Sequence, residues 1–213
     1  MIELGFVGCG DVATRTYFPA LAPLADRAKV AACFDPRVEC ADAAAARFPG
    51  AIAYTRYEDL LSHAGLDAIV NLTPAPVHRE ITSQALAAGL HVYTEKPLAA
   101  TLPDAQSLIE QADQAGLLLL CAPAVMAARR FRWLRELLDA GQFGRLTLAT
   151  GQMANMGPAS WRGYTGDPSV FYQQGVGPVL DTGVYILHAI TGLLGPVKRV
   201  QAFGGIAIPQ RAV

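Results

Sequence analysis

Along the first 122 residues, short and almost continuous apolar runs alternate with longer stretches whose apolar positions recur at helical spacing. The runs Ile2–Val7, Lys29–Phe34, Ala51–Tyr54, Asp67–Asn71, Leu90–Tyr93 and Leu117–Leu120 are predicted strands. Most carry no polar face, as expected where helices cover both sides of a parallel sheet. The alanine-rich stretch 37–47, a short segment Tyr57–His63, then His78–Ala88 and Leu102–Ala115 are predicted helices. Thr101-Leu102-Pro103-Asp104 has the form of a capping box at the start of the last one. Gly89 and Gly116 stand where helix C-caps precede the next strand. Six strands joined by right-handed helical crossovers make an α/β, doubly wound parallel sheet of the Rossmann type.

After Cys121-Ala122-Pro123 the pattern changes. A helix over about 128–140 ends at Gly141, and Arg145–Gly151 alternates like a strand with one exposed face. A loop rich in glycine, proline and aromatic residues runs through Asp167, Pro168 and Tyr172. A helix over about 177–191 and a strand-like Val197–Phe203 follow. The division is therefore a doubly wound α/β domain over 1–122 and an α+β domain with antiparallel strands over 123–213. Two antiparallel strands are marginal alone, so the second domain reads as incomplete.

Bulk properties exclude several classes. Of 213 residues, 52% are hydrophobic and 16% charged, which provides a core and argues against disorder. The net charge is −1, and the cluster Arg129, Arg130, Arg132, Arg135 lies on a predicted helix, so nucleic acid is not the expected partner. Apolar runs such as Leu117 to Ala122 are too short to span a bilayer. Met1–Val7 runs straight into a glycine motif and reads as a strand, not a signal peptide. Cys9, Cys33, Cys40 and Cys121 show no metal-ligand spacing, so free thiols in a cytoplasmic protein and no metal site are expected.

The first strand opens into Gly8-Cys9-Gly10-Asp11-Val12-Ala13. Gly8 permits the tight turn, Gly10 lets a pyrophosphate approach the backbone, and Ala13 still allows close helix–strand packing. The helix start beyond Asp11 and Val12 offers unpaired N–H groups to phosphate. An ordinary βα turn has the same look. The second strand, however, ends in Asp35, where a carboxylate accepts the adenosine ribose hydroxyls. Asp35 favours NAD by repelling a 2′-phosphate; Arg37, two residues on, softens that preference and keeps NADP open. Asp35 before Pro36 also suits a helix cap.

In a doubly wound sheet, ligands lie beyond the carboxyl ends of the strands at the switch point. There the loop Thr73-Pro74-Ala75-Pro76 converges with Thr94-Glu95-Lys96-Pro97. Lys96 is a candidate for proton transfer with a substrate hydroxyl. Farther on, Asp181, Tyr185 and His188 fall at i, i+4 and i+7 of a helix, three proton-capable groups on one stripe. A hydrogen-bonded buried face is the plainer alternative. Trp161 and Arg162 are either polyol contacts or packing residues, His63 and His91 structural, and His78 a helix-start residue near the cofactor.

Taken together, Gly8-Cys9-Gly10, Thr73-Pro74 with His78, Glu95-Lys96-Pro97 and Asp181-Thr182-Gly183-Val184-Tyr185-Ile186-Leu187-His188 resemble the Gfo/Idh/MocA oxidoreductases, in order and spacing, over essentially the whole chain. Tyr17-Phe18-Pro19-Ala20-Leu21 fits the first helix of that family. The resemblance implies NAD or NADP as cofactor and a small sugar-, polyol- or carbonyl-type substrate. It implies that Gly8, Gly10, Asp11, Val12, Asp35, Arg37, Thr73, Pro74, His78, Glu95 and Lys96 hold the dinucleotide. Lys96 also helps move a proton, and a cis peptide precedes Pro97 in many relatives. Asp181 and Tyr185 match the catalytic pair, with Tyr185 as acid/base and His188 as contact, relay or alternative acid/base. Relatives carry a larger open sheet in the second domain, which often forms a dimer interface. A homo-oligomer through that interface is what the resemblance implies, and the short second domain argues against it. An NAD-dependent glycoside hydrolase and a non-catalytic nucleotide-binding protein are the competing expectations.

Overall fold

The computed structural model describes residues 1–173, 175–206 and 208–210. Six strands form one sheet: β1 (Ile2–Val7), β2 (Ala28–Phe34), β3 (Ile52–Tyr54), β4 (Ala68–Asn71), β5 (His91–Thr94) and β6 (Leu119–Cys121). The order is β3-β2-β1-β4-β5-β6 and every pairing is parallel. The helices between them are α1 (Phe18–Leu21), α2 (Val38–Ala45), α3 (Tyr57–Leu61), α4 (His78–Ala87) and α5 (Leu102–Ala115). Beyond the sheet come α6 (Arg129–Asp139) and α7 (Val184–Leu194).

The apolar runs lack a polar face because both faces are covered. Adjacent residues on one strand fall into opposite cores, as the two-residue period of a strand requires. Val7, Ala32 and Ile69 pack with Tyr57, Leu60, Leu86 and Leu108 on one side. Their neighbours Phe6, Cys33 and Val70 pack with Phe18, Ala44 and Ala45 on the other. Leu60 and Ile69 are fully buried, and each contributes about 1.5–3 kcal/mol by leaving water.

Thr101 caps α5 as expected: the Asp104 N–H donates to Thr101 Oγ1 at 3.3 Å, the Thr101 hydroxyl rather than its N–H meets the Asp104 carboxylate, and Gly116 ends the helix at φ 66°. The first helix departs from the expected regular form. Ala13–Tyr17 is a π-turn leading into α1, and it carries Tyr17 towards the carboxyl ends of the strands.

Two expected strands are absent. Residues 145–151 and 196–206 form no ladder, and Leu148, Val200 and Phe203 lie exposed. Alternation marks a sided segment, but a strand also needs a neighbour to take its N–H and C=O groups. Neither segment has one among the described residues. No antiparallel ladder of the expected second domain is found among the described residues, although α6 and α7 form, linked by Arg135 Nη1 donating to Gly192 O at 2.9 Å. Among the described residues no helix is long and apolar enough to cross a membrane.

Candidate active site

The strand order reverses between β1 and β4, and three loops converge beyond their carboxyl ends. Gly8 turns out of β1 at φ 89°. A Cβ there would stand 2.8 Å from the Leu72 carbonyl carbon and 2.9 Å from Thr73 N. The fold itself therefore demands this glycine. Gly10 is different, because a Cβ there would meet only Arg37 Nη2, at 3.8 Å. The space over Gly10 is open, as a cradle for a pyrophosphate must be. Asp11 turns sideways, its Oδ1 held by Arg15 Nε at 2.8 Å, and Val12 is exposed beside it.

Asp35, at the end of β2, is 3% exposed. Burial opposes its charge, but donation from Arg37 and from the Cys9 N–H outweighs this and holds the carboxyl below its ordinary range. Arg37 lies alongside, half-exposed, with its guanidinium turned onto the carboxylate.

The β4 loop is organised by a residue the pattern did not single out. Asn71, fully buried, accepts the Thr73 N–H and hydroxyl at 3.2 and 2.6 Å and donates to Thr82 Oγ1 at 3.2 Å. A polar residue closing the buried run Ile69-Val70 was the available signal. Pro74 follows in extended conformation and leads into the turn before α4. His78 is also buried, with Nδ1 2.7 Å from Pro97 O and Nε2 2.7 Å from Thr73 O. It staples the two loops together and presents no surface to a ligand. Burial lowers its pKa against the two carbonyls, which favour the cation.

At the end of β5 the Lys96–Pro97 peptide is cis. Glu95 accepts the Lys96 N–H at 3.0 Å and the Tyr17 hydroxyl at 2.7 Å. Tyr17 thereby ties the helix after the glycine loop to the lysine turn, and burial first, then Tyr93 and Glu95, drive its pKa up. Lys96 Nζ reaches Asp181 Oδ1 at 2.5 Å and Asp181 O at 2.6 Å. The two side chains are 14% and 9% exposed. Asp181 lies in a second π-turn, Val179–Gly183, which runs directly into α7.

Tyr185 stands one turn along, its ring centroid 5.7 Å from Lys96 Nζ. Burial raises its pKa, the Lys96 charge opposes that, and Glu95 and Asp181 add to it. His188 is half-buried, and its ring has no hydrogen-bond partner among the described residues. Of the three-residue stripe, Asp181 and Tyr185 meet Lys96 directly. Trp161 packs edge-on against Tyr164 and Phe171, with centroids at 5.8 and 5.2 Å, while Arg162 is exposed. That loop is tied back to the first helix by Arg15 donating to Gly163 O. His63 and His91 serve structural hydrogen bonds, with Tyr54 OH and the Leu118 N–H.

Residues 2–122 match the model of the oxidoreductase family with an NAD-binding Rossmann fold, and residues 131–213 match the GFO/IDH/MocA C-terminal domain. The chain is 32% identical to the dTDP-3,4-didehydro-2,6-dideoxy-alpha-D-glucose 3-reductase of Streptomyces violaceoruber, over 94% of its own length and 56% of the relative's. It is similar to the WlbA dehydrogenase from Bordetella pertussis, solved with NADH and UDP-GlcNAcA (TM-score 0.75, 25% identity, 92% of this chain and 56% of that one). It is also similar to KijD10, a 3-ketoreductase from Actinomadura kijaniata solved with TDP-benzene and NADP (TM-score 0.69, 30% identity, 91% and 56%). The chain thus spans about half the length of these relatives.

Proposed function

The chain belongs to the Gfo/Idh/MocA oxidoreductase family, and on that footing we propose that it carries the chemistry of an NAD(P)-dependent dehydrogenase or reductase. The substrate is a sugar- or polyol-type hydroxyl or the corresponding carbonyl. Residues 1–122 supply the dinucleotide site, and the part beyond 123 supplies α7 as the substrate wall. The observation that carries the reading is the Lys96–Asp181 pair with Tyr185 against it, at the carboxyl end of a strand beside the switch point.

The glycine loop, Asp35 with Arg37, and the Thr73-Pro74 turn would hold the dinucleotide. When bound, the nicotinamide supplies the hydride donor or acceptor. The chain manages the proton and the geometry. Asp181 fixes the Lys96 ammonium, whose remaining N–H points a positive charge at an oxygen gaining negative charge, an interaction strongest in the transition state. Glu95 fixes the backbone of the same turn from below, with Tyr17 behind it. Tyr185, raised above its ordinary value by burial, keeps its proton through neutral pH and delivers it to the substrate oxygen in the reducing direction. In oxidation the proton runs the other way, from the substrate hydroxyl to the deprotonated Tyr185 oxygen, as the hydride leaves for the nicotinamide. His188, beyond Tyr185 on the helix, contacts the substrate without exchanging the reacting proton.

The test is a calorimetric titration of the protein with NADH and NADPH, followed by turnover on a panel of sugars, polyols and their keto forms. Saturable binding with turnover that Lys96→Ala abolishes, while dinucleotide affinity stays, is the expected result. Binding unaffected by Lys96→Ala with no turnover on any substrate would leave a nucleotide-binding protein and refute the enzymatic reading.

A further inference from the structure

At the adenosine end of the cleft, the carboxylate expected to receive the ribose hydroxyls is already full. Asp35 Oδ1 accepts the Arg37 N–H and Nε–H, both at 3.0 Å. Asp35 Oδ2 accepts the Cys9 N–H at 3.0 Å and Arg37 Nη2 at 3.2 Å. A carboxylate offers about four acceptor positions, and all four are taken by the chain. A ribose diol can use Asp35 only by displacing the guanidinium.

Arg37 presents the opposite picture. Its guanidinium carries five N–H donors in a planar fork, and Asp35 uses one on Nε and one on Nη2. The remaining three have no acceptor among the described residues, and the side chain is 50% exposed. Nη2 lies 3.8 Å from where a Cβ on Gly10 would stand, so the free edge borders the glycine loop. Asp35, behind it, fixes the plane of the fork, so little freedom is lost when an anion binds. The carboxylate's charge is answered by the guanidinium, which removes the repulsion that an unpaired Asp35 would exert on a phosphate.

From this geometry we infer that Arg37 is the residue that sets cofactor preference, and that the Asp35–Arg37 pair reads the adenosine 2′-phosphate, so that the chain takes NADP(H) at least as readily as NAD(H). The inference rests on the dinucleotide reading of the cleft. It differs from the preference that Asp35 alone implies. Planar forks match phosphate oxygens by charge-assisted paired bonds, whereas NAD(H) must break two side-chain hydrogen bonds of Arg37 before its ribose can reach Asp35.

The experiment is equilibrium titration of the intact protein, its Arg37→Ala variant and its Arg37→Lys variant with NADH and with NADPH, followed by nicotinamide fluorescence. Circular dichroism checks the fold of each. Wild type is expected to bind NADPH as tightly as NADH or more so. Arg37→Ala is expected to weaken NADPH by about tenfold or more, equal to about 1.4 kcal/mol. It should tighten NADH, because Asp35 is freed to accept the ribose hydroxyls. Arg37→Lys should fall between, since it keeps charge without the fork. A wild type that binds NADH at least tenfold tighter than NADPH overturns the inference, as does an Arg37→Ala variant whose NADPH-to-NADH ratio stays within twofold of wild type. Folded protein that binds neither nucleotide refutes the reading of the cleft itself, a result distinct from either of those.

Discussion

Replacing Lys96 by methionine removes the ammonium and keeps most of the stem, and the cost can be worked from the site. Asp181 is 6% exposed, and Lys96 Nζ is the donor its side chain has among the described residues. Without Lys96 the carboxylate is a buried charge with no partner. Breaking such a pair from one side costs about 3–5 kcal/mol, far above the ~0–1 kcal/mol of an exposed ion pair. For a chain of this size each kcal/mol moves Tm by about 2–4 °C, so Lys96→Met should lower Tm by roughly 6–20 °C. Removing both charges is a different perturbation. Lys96→Met with Asp181→Leu fills the same space with apolar groups, and such replacements are often neutral or stabilising. The double variant should therefore return to within about 1 kcal/mol of the parent. Thermal and urea unfolding of the parent, both single variants and the double variant close the cycle. If Lys96→Met costs under about 1 kcal/mol, the pair is solvated like a surface pair. If the double variant is as weak as Lys96→Met, the loss was packing and not charge. Either result would refute the reasoning.

Gly8→Ala should cost at least about 1–3 kcal/mol, because a Cβ at φ 89° meets the Leu72 and Thr73 backbone. Gly10→Ala should leave Tm nearly unchanged and instead weaken dinucleotide binding in a fluorescence titration. Tyr185→Phe should lower turnover by about 10²–10⁴-fold with dinucleotide affinity intact, and His188→Gln should affect KM more than kcat. Because burial raises Tyr185 above its ordinary value of 10.0, kcat for reduction should not fall off on the alkaline side until beyond that value. Asp35 titrates below its unfolded value in the folded chain, so its contribution to stability is complete above about pH 4 and is lost as pH falls through the folded value. Urea midpoints at pH 5 and pH 3 should therefore converge for wild type and Asp35→Asn at the lower pH.

Much of the sheet was legible because its determinants are local. A strand buried on both faces must be apolar at every position, so Ile2–Val7 is found to the residue and the other five strands to within two. The helix Leu102–Ala115 was equally plain, since Thr101 and Gly116 mark its ends by capping chemistry. The site was legible in part. Gly8, Asp35 and Lys96 declare themselves through position after a strand. Asn71, His78 and Tyr17 act through contacts between loops, and no local period records which loop lies against which. The position of His78 at a helix start near the glycine loop suggests a cofactor contact, but its two carbonyl partners make it a staple. Spacing makes Arg37 a neighbour of Asp35, yet its hold on that carboxylate is a fact of rotamers, not of spacing.

The segments 145–151 and 197–203 show where the same logic stops. Alternation tells which residues of a segment share a face, and Leu146 and Leu148 do alternate with polar neighbours. It cannot tell whether a second segment lies alongside to accept the ladder, and unpaired backbone groups then take water instead. A helix satisfies its own backbone, which is why α6 and α7 form while those strands do not. The consequence for function is specific. Asp181 is delivered by the π-turn Val179–Gly183 and Tyr185 by α7, and the bonds from Asp181 to Lys96 at the β5 loop need no partner strand. Asp181 and Tyr185 thus sit on elements that satisfy their own backbones and do not rely on the segments lacking a ladder. Variants at Leu148 or Phe203 should accordingly leave dinucleotide affinity and the Lys96–Asp181 coupling untouched. A change in that coupling on Phe203→Ser would show that α7 is held from its far side after all.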